Sequence, residues 1–572
     1  LGYIYIHHIY YKKVYYFFSI MNENIDTTNS NKIIINTDDS DIFYFSSTDI
    51  VPNNIKEDFK TKQNFLLVFV NPKSGSQQGK IVLEHAEKYK EEKIPEYKII
   101  SFPILGEKLR SRKSKELESM NSSNESVEKG DSQDSTFNLH LAKFDALVEF
   151  STIIFNIIDK DDMIRGKKFI KKYLSDFPDY KIKILIAGGD GTVLGIVEDL
   201  NKEGIELNRC IFGAMPFGTG NDLSHSLGFG NECKVGGIRS FHRVLYTYLI
   251  GTPTKIDIWE LSVMVNQNIG TIFDVVKNGE KIKEDQTHNK VLQFQKSFIN
   301  YFSLGFDARV GFQFEQRRSS SRFCNKFIYA VEAAKRIFCC KKNYGLTQLL
   351  DSFQEGEVGD TIDAHIKVNN ISEKEELKAF EDVRNDPLIP KEDNENLLDK
   401  SQRKLIFKTK NAEDSDSDIV LKGNPVNIIC QNIDFYMGGT QNIWDKSSHI
   451  GITQEDATKN QYKEYRKGVL ESFQKQAFDD KKIEFFTYEH GIELGLERVA
   501  RGMAKRVYQG AGPVFLEFKK NPNNTEKIAL SKVYLNCDGE FYHLQNPTQI
   551  SVKLNTNICD GQINILKNEI GF

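Results

Sequence analysis

Three short segments of this chain set carboxylates, amides or a lysine among glycines directly after an apolar run. Ile182–Val193 reads IKILIAGGDGTV and presents Gly188, Gly189, Asp190, Gly191 and Thr192 in succession. Phe65–Gly79, FLLVFVNPKSGSQQG, offers Asn71 and Lys73; Cys210–Leu223, CIFGAMPFGTGNDL, offers Gly218, Thr219, Gly220 and Asp222. Bare glycine loops let backbone N–H groups approach an anion, and a helix N-terminus behind the loop adds a favourable dipole. The glycine sets therefore read as phosphate cradles, with Asn71 and Lys73 as further contacts to a nucleotide. An aspartate inside such a loop repels phosphate unless a metal intervenes, which makes Asp190 a candidate for Mg2+ or hydroxyl handling. Asp222 opens the next helix and has two readings, metal ligand or helix cap. Lys73 also has two, a phosphate contact or a solvated loop lysine. None of the three loops has the spacing of GxxxxGK[ST] or GxGxxG.

The elements that must hold these residues follow from the apolar pattern. Each loop leaves the end of a buried-looking strand, and in an open α/β sheet ligands bind beyond the carboxyl ends of strands. Residues 81–92 and 163–177 have helical spacing, the second weakened by Gly166. A first, α/β domain is expected over 61–250, with a Ser-, Lys- and Glu-rich insertion at 107–140. A second, β-rich domain is expected over 251–545, because strand-like runs such as VNIICQNIDFY, KIEFFTYE, PVFLEFK and IALSKVYLNC alternate with turns. It carries a second polar insertion at 371–420 and a polar loop at Glu280–His288. Residues 546–572 should add strands that complete the core. Residues 21–60 are rich in Asn, Asp, Ser and Thr, so 1–60 reads as a disordered or misannotated tail. Its first 20 residues are aromatic but broken by His7, His8, Lys12 and Lys13, and fit neither a spanning helix nor a signal peptide; they read as a mistranslated stretch before Met21 or as an interfacial anchor.

The ordered series NPKSG, AGGDGTV and PFGTGNDL resembles the catalytic domain of eukaryotic diacylglycerol kinases. NYFSLGFDA at Asn300–Ala308, RRSSSRFCNKFIYA at Arg317–Ala330, NIDFYMGGTQNIW at Asn432–Trp444 and CDGEF at Cys537–Phe541 resemble that family's accessory region. The resemblance implies a nucleotide-binding α/β domain followed by a β-sandwich-like domain. It implies ATP and Mg2+ as cofactors, and transfer of the γ-phosphoryl group to membrane diacylglycerol at a peripheral membrane surface. In its terms Asp190 and Glu540 are catalytic, and Asp190, Asp222 and Asp257 are metal ligands. Asp538 and Gly539 shape the turn before Glu540. Asp190 competes with Glu540 for the role of general base, and Glu484 is a distant third. Gly438, Gly439 and Thr440 resemble a lipid-side loop, and Arg318 an accessory arginine. The chain departs from the family at Glu315, where histidine is usual, and at His225, where arginine is usual. A related lipid kinase acting on sphingosine or ceramide, or a degenerate lipid-binding homologue, are the alternatives.

Bulk properties narrow the remaining classes. A net charge of −4 over 572 residues gives no field to recruit nucleic acid, and no reading motif is present. The eight cysteines include no CxxC pair and no zinc-finger spacing, which suits reduced thiols in the cytoplasm. Protein partners are not indicated. Membrane contact has two candidates in the chain, the basic run Lys167, Lys168, Lys171 and Lys172, and the aromatic pair Phe485–Phe486; the first reads equally as a solvated helix face and the second as part of a core strand.

Overall fold

A computed structural model describes residues 32–36, 42–46, 65–74, 78–89, 98–102, 150–319 (except 219, 234, 236 and 237), parts of 324–335, 345–356, 404–408 and 419–569 (except 455–458, 498 and 520–531). The first 20 residues and the insertion at 107–140 lie outside the described residues. So does most of 371–420, of which Lys404–Lys408 and Ile419–Leu421 are described as strands. Within the expected tail, Lys32–Asn36 pairs antiparallel with Ile42–Ser46. The sequences KIIIN and IFYFS carry the β-branched and aromatic residues that favour such pairing.

The chain divides into two units, residues 1–254 with 564–572, and residues 255–563. The first contains, in chain order, β1 (Phe65–Val70), α1 (Gln78–Tyr89), β2 (Lys98–Phe102), β3 (Phe150–Asn156), α2 (Lys160–Asp176), β4 (Ile182–Gly188), α3 (Asp190–Lys202), β5 (Cys210–Pro216) and α4 (Asp222–Ser226). Its seven-stranded sheet runs β2-β3-β1-β4-β5, then the C-terminal strand Gln562–Lys567, then Thr252–Asp257. Strands β3, β1, β4, β5 and Gln562–Lys567 are parallel, with Leu67 opposite Ile184 and Ile184 opposite Phe212. Their apolar runs are continuous because such strands are covered on both faces; every residue of β5 is buried.

Helix α2 begins at Lys160, three residues before the expected 163, because Asp159 caps it by accepting from the N–H groups of Asp161 and Asp162. Gly166 is no weak point. A Cβ added there would lie 2.7 Å from Phe69 Cε1, so the glycine lets α2 settle on β1. Helix α1 likewise starts early. Its Gly79 backs onto the Asn71 carbonyl so closely that a Cβ would come within 2.1 Å of it.

The second unit holds a nine-stranded and an eight-stranded sheet. Trp259, Leu516 and Val552 of the eight-stranded sheet join Phe302, Cys430, Phe485 and Leu535 of the nine-stranded sheet in one apolar cluster. Phe486 and Tyr488 face the other way, into a cluster with Ile429, Tyr436 and Trp444. Successive strand residues point to opposite faces, so Phe485 and Phe486 serve two cores and both are fully buried. Of the two readings of the pair, part of a core strand holds and membrane contact falls. The expected loop at 280–288 opens instead with the edge strand Gly279–Ile282, hairpinned to Thr271–Val276. Pro547–Leu554 joins the eight-stranded sheet. Among the described residues no helix is long and apolar enough to cross a membrane.

Candidate functional site

At the carboxyl ends of β1, β4 and β5 the three glycine loops are stitched together. Leaving β1, the Asn71 N–H donates to Ala187 O of β4 at 2.9 Å. The Asn71 side chain closes its own turn, with Oδ1 accepting from the Lys73 N–H at 3.0 Å. Lys73 is exposed on that turn. Leaving β4, Gly189 caps α3 and its carbonyl accepts from the Thr192 N–H at 2.8 Å. The Phe217 N–H beyond β5 donates to Gly188 O at 3.0 Å. Backbone meets backbone here. A Cβ on Gly218 would sit 2.6 Å from Gly189 Cα, and one on Gly188 would sit 2.6 Å from the Thr192 side chain. Gly191, in the first turn of α3, is exposed with open space beside it.

Asn221 makes the turn into α4. It adopts a left-handed conformation (φ 56°), held by its side-chain N–H donating to Gly218 O at 3.0 Å and Asn231 O at 2.7 Å. Since Asn221 is the N-cap, Asp222 is the first helical residue and the cap reading for it falls. Asp222 is buried. The Asp190 carboxylate accepts from the Leu223 N–H at 3.4 Å, which draws the two aspartates to one corner. One end of the first unit thus gathers Asn71, Lys73, Gly188, Gly189, Asp190, Gly191, Thr192, Gly218, Gly220 and Asp222; Thr219 lies outside the described residues. Bare glycines beside a 13-residue helix N-terminus fit a polyphosphate. Two carboxylates at adjoining helix starts fit Mg2+, which takes hard oxygen ligands.

The remaining candidates fall within residues 255–563, Asp257 at the end of the strand Thr252–Asp257 that crosses the boundary. Asp257 is fully buried, and both its oxygens are engaged, Oδ2 by the Lys481 N–H and Oδ1 by the Gln562 side-chain N–H, each at 2.7 Å. Burial pushes its carboxyl up to about 7, against these two donors, and the nearby Asp480 and Asp479 add to the rise. Glu540 begins the strand Glu540–Gln545 with an exposed side chain. Its Oε2 accepts from Lys296 Nζ and from the Tyr542 hydroxyl, each at 2.8 Å. Desolvation raises its pKa, but Lys296, the Tyr542 hydroxyl and Lys283 outweigh that and hold it below the ordinary glutamate value. Asp538, with φ 47°, accepts from the N–H groups of Ile299, Asn300 and Tyr301, and Gly539 follows at φ 82°. This turn fixes where the Glu540 strand starts.

Glu484 cannot serve as a base. It is fully buried, its oxygens are bonded to Gln476 and Gln509, and burial raises its pKa well above the ordinary value. Arg318 pairs with Glu315 at 3.0 Å, so the departure at Glu315 gives that arginine a carboxylate within its own chain. Met437, Gly438 and Gly439, all at positive φ, form the three-residue turn of a hairpin between Phe435–Tyr436 and Thr440–Gln441. His225 lies in α4, its N–H bonded to Asn221 O. Lys167 pairs with Asp199, and Lys171 with Glu203, so these two lysines of the basic run serve contacts inside the first unit. Sequence reasoning missed Lys296 and Tyr542. Tyr542 was within reach, being two residues beyond Glu540 on one strand face, whereas nothing local marks Lys296.

Comparison with known proteins adds an independent line. A model described as the diacylglycerol kinase catalytic domain matches residues 131–250, and one described as the diacylglycerol kinase accessory domain matches 297–541. Together they take in more than half of the chain. Diacylglycerol kinase 7 of Arabidopsis thaliana is 28% identical over 222 residues, 36% of this chain and 44% of that protein. Diacylglycerol kinase 3 of the same plant is 29% identical over 223 residues. Diacylglycerol kinase zeta of Homo sapiens is 33% identical over 162 residues, 27% of this chain and 16% of that protein. The matched stretches span less than half the length of these relatives.

Proposed function

Because this chain belongs to the diacylglycerol kinase family, we propose that it transfers the γ-phosphoryl group of ATP to the free hydroxyl of 1,2-diacylglycerol, giving phosphatidic acid and ADP. The observation that carries the reading is the meeting of Asp190 and Asp222 with three glycine loops at one end of a parallel sheet. On this reading the first unit is a nucleotide-binding domain and the second a β-sandwich that receives the lipid. The glycine loops cradle the phosphates through backbone N–H groups, with Asn71 and Lys73 beside them. Asp190 and Asp222, with Asp257 as a third candidate, would hold Mg2+, which when bound neutralises charge on the phosphates.

The lipid hydroxyl oxygen forms the new bond to γ-phosphorus as the bond to the β,γ-bridging oxygen breaks. ADP leaves with that electron pair, and the hydroxyl proton passes to the Glu540 carboxylate. Phosphoryl transfer runs through a loose transition state in which positioning and charge stabilisation carry most of the catalysis. A carboxylate with a low pKa is therefore adequate as an acceptor. The substrate is a membrane lipid, so the enzyme works at a membrane surface from the cytoplasmic side.

The test is ATP-dependent phosphorylation of diacylglycerol, sphingosine and ceramide in mixed micelles with Mg2+. Phosphatidic acid should form, and Asp190→Ala should lower turnover by about 10²-fold or more, the scale of losing a positioned catalytic group. Phosphorylation of sphingosine or ceramide instead would overturn the substrate while leaving the ATP site standing. A folded protein that binds ATP and turns over no lipid would point to a degenerate homologue.

A further inference from the structure

Glu540 is held from one side only. Lys296 and Tyr542 both bind its Oε2, and among the described residues Oε1 has no hydrogen-bond partner. The two holding groups come from different sheets. Tyr542 is on Glu540's own strand in the nine-stranded sheet, and Lys296 is on Gln293–Phe298, the edge strand of the eight-stranded sheet.

Both are themselves fixed. The Tyr542 ring packs on Phe294 with centroids 4.8 Å apart, and Phe294 lies two residues before Lys296 on the same face. Lys283 Nζ sits 5.1 Å from the Tyr542 ring centroid and 5.5 Å from that of Phe294, while pairing with Asp274 at 2.9 Å. One strand of each sheet, interior in the nine-stranded sheet and at the edge in the eight-stranded one, thus contributes one half of a clamp.

We propose that Lys296 and Tyr542 are positioning residues for Glu540, locking Oε2 so that Oε1 alone is presented to the lipid hydroxyl. This rests on the reading of Glu540 as the group that accepts the hydroxyl proton. A free glutamate side chain spreads over many rotamers and offers either oxygen. A clamped one offers a single lone-pair direction, and its ordering cost is met before substrate arrives.

The clamp also sets a charge state. The ionisable groups around Glu540 are Lys296 and Lys283, which favour its anion, Tyr542, which donates to it, and Asp274, Asp538 and Cys537 close to those partners. The anion is the working form, so activity rises as pH climbs through the pKa of Glu540. With Lys296 in place, that limb lies below the ordinary glutamate value of about 4.3. Removing the ammonium group moves it upward.

The experiment compares native protein with Lys296→Met, which keeps the aliphatic stem, Lys296→Arg, Tyr542→Phe and Glu540→Gln. Turnover of diacylglycerol is followed against pH. In parallel, the Glu540 carboxyl is titrated by NMR with 13C-labelled glutamate, its resonance assigned by absence in Glu540→Gln. Lys296→Met should raise the Glu540 pKa by about one unit and move the acid limb with it. It should lower kcat about tenfold and leave the KM for ATP unchanged. Lys296→Arg should restore both, and Tyr542→Phe should give a smaller shift of the same sign. A Glu540 pKa equal in native protein and Lys296→Met would overturn the clamp, whether or not the protein is active. So would a loss of turnover with an unmoved limb and a lowered melting temperature, which is what a merely structural lysine would give. Full activity of Glu540→Gln would instead remove the assigned role of Glu540, a failure recognisable as separate because the NMR shift would persist.

Discussion

Gly218 approaches the Gly189 backbone so closely that it has no room for a side chain. Gly218→Ala puts a Cβ 2.6 Å from a backbone atom and 2.7 Å from Asn221 Oδ1, so one of the loops must move. Backbone N–H groups aimed at phosphate are then misdirected, and ATP affinity should fall about tenfold or more, roughly 1.4 kcal/mol or above. Calorimetric titration of ATP reads this directly, and unchanged affinity would remove the cradle from the account. At this scale the sequence was informative where chemistry is local. A strand, bare glycines and a carboxylate in a dozen residues are visible without any fold. The Lys296–Glu540 pair was not legible, because its members are far apart in the chain and join only when two sheets form. Asp222 shows the intermediate case. Its neighbourhood was legible, but only the backbone of Asn221 decides which of the two residues caps α4.

Helix α2 crosses β1 by way of Gly166, whose absent side chain leaves space for the Phe69 ring. Phe69 is fully buried and stacked on Phe155 at 5.3 Å, so neither ring has room to yield. Gly166→Ala should therefore destabilise the first unit by about 1–3 kcal/mol, despite alanine's better helix propensity, because overpacking outweighs it. Thermal or urea unfolding would show the loss, and a stabilised variant would mean that α2 slides without cost. Helical periodicity announced this element, while its start and the role of its glycine depended on a cap and on a partner strand. The run Phe485–Phe486 illustrates the same limit. Two adjacent aromatics fit a membrane contact or a core strand alike in sequence, and only the coverage of both faces of this strand decides for the core.

The chain divides into two units near residue 254, and in the sequence glycine-punctuated α/β segments give way to strand-rich runs in the same region. The pairing of those strands was not legible, since partners such as Phe302 and Cys537 are set by contacts across much of the chain. The C-terminal strand is the clearest instance. Gln562–Lys567 lies in the first unit's sheet between β5 and Thr252–Asp257, with Ile565 and Leu566 fully buried. Removing residues 562–572 exposes those side chains and unpairs two strands. Burial alone accounts for about 3–6 kcal/mol, a large share of a domain's stability. Hydrogen exchange should show β4 and β5 unprotected in the truncated chain, and full protection there would refute the dependence.

That placement also gives the protein a schedule during its synthesis. The sheet that carries the glycine loops stays incomplete until residues 255–563 have been translated, about 15–60 s at the usual elongation rates of 5–20 residues per second. Throughout that interval β5 and Thr252–Asp257 present unpaired edges on the nascent chain, where a chaperone or a neighbouring polypeptide can reach them.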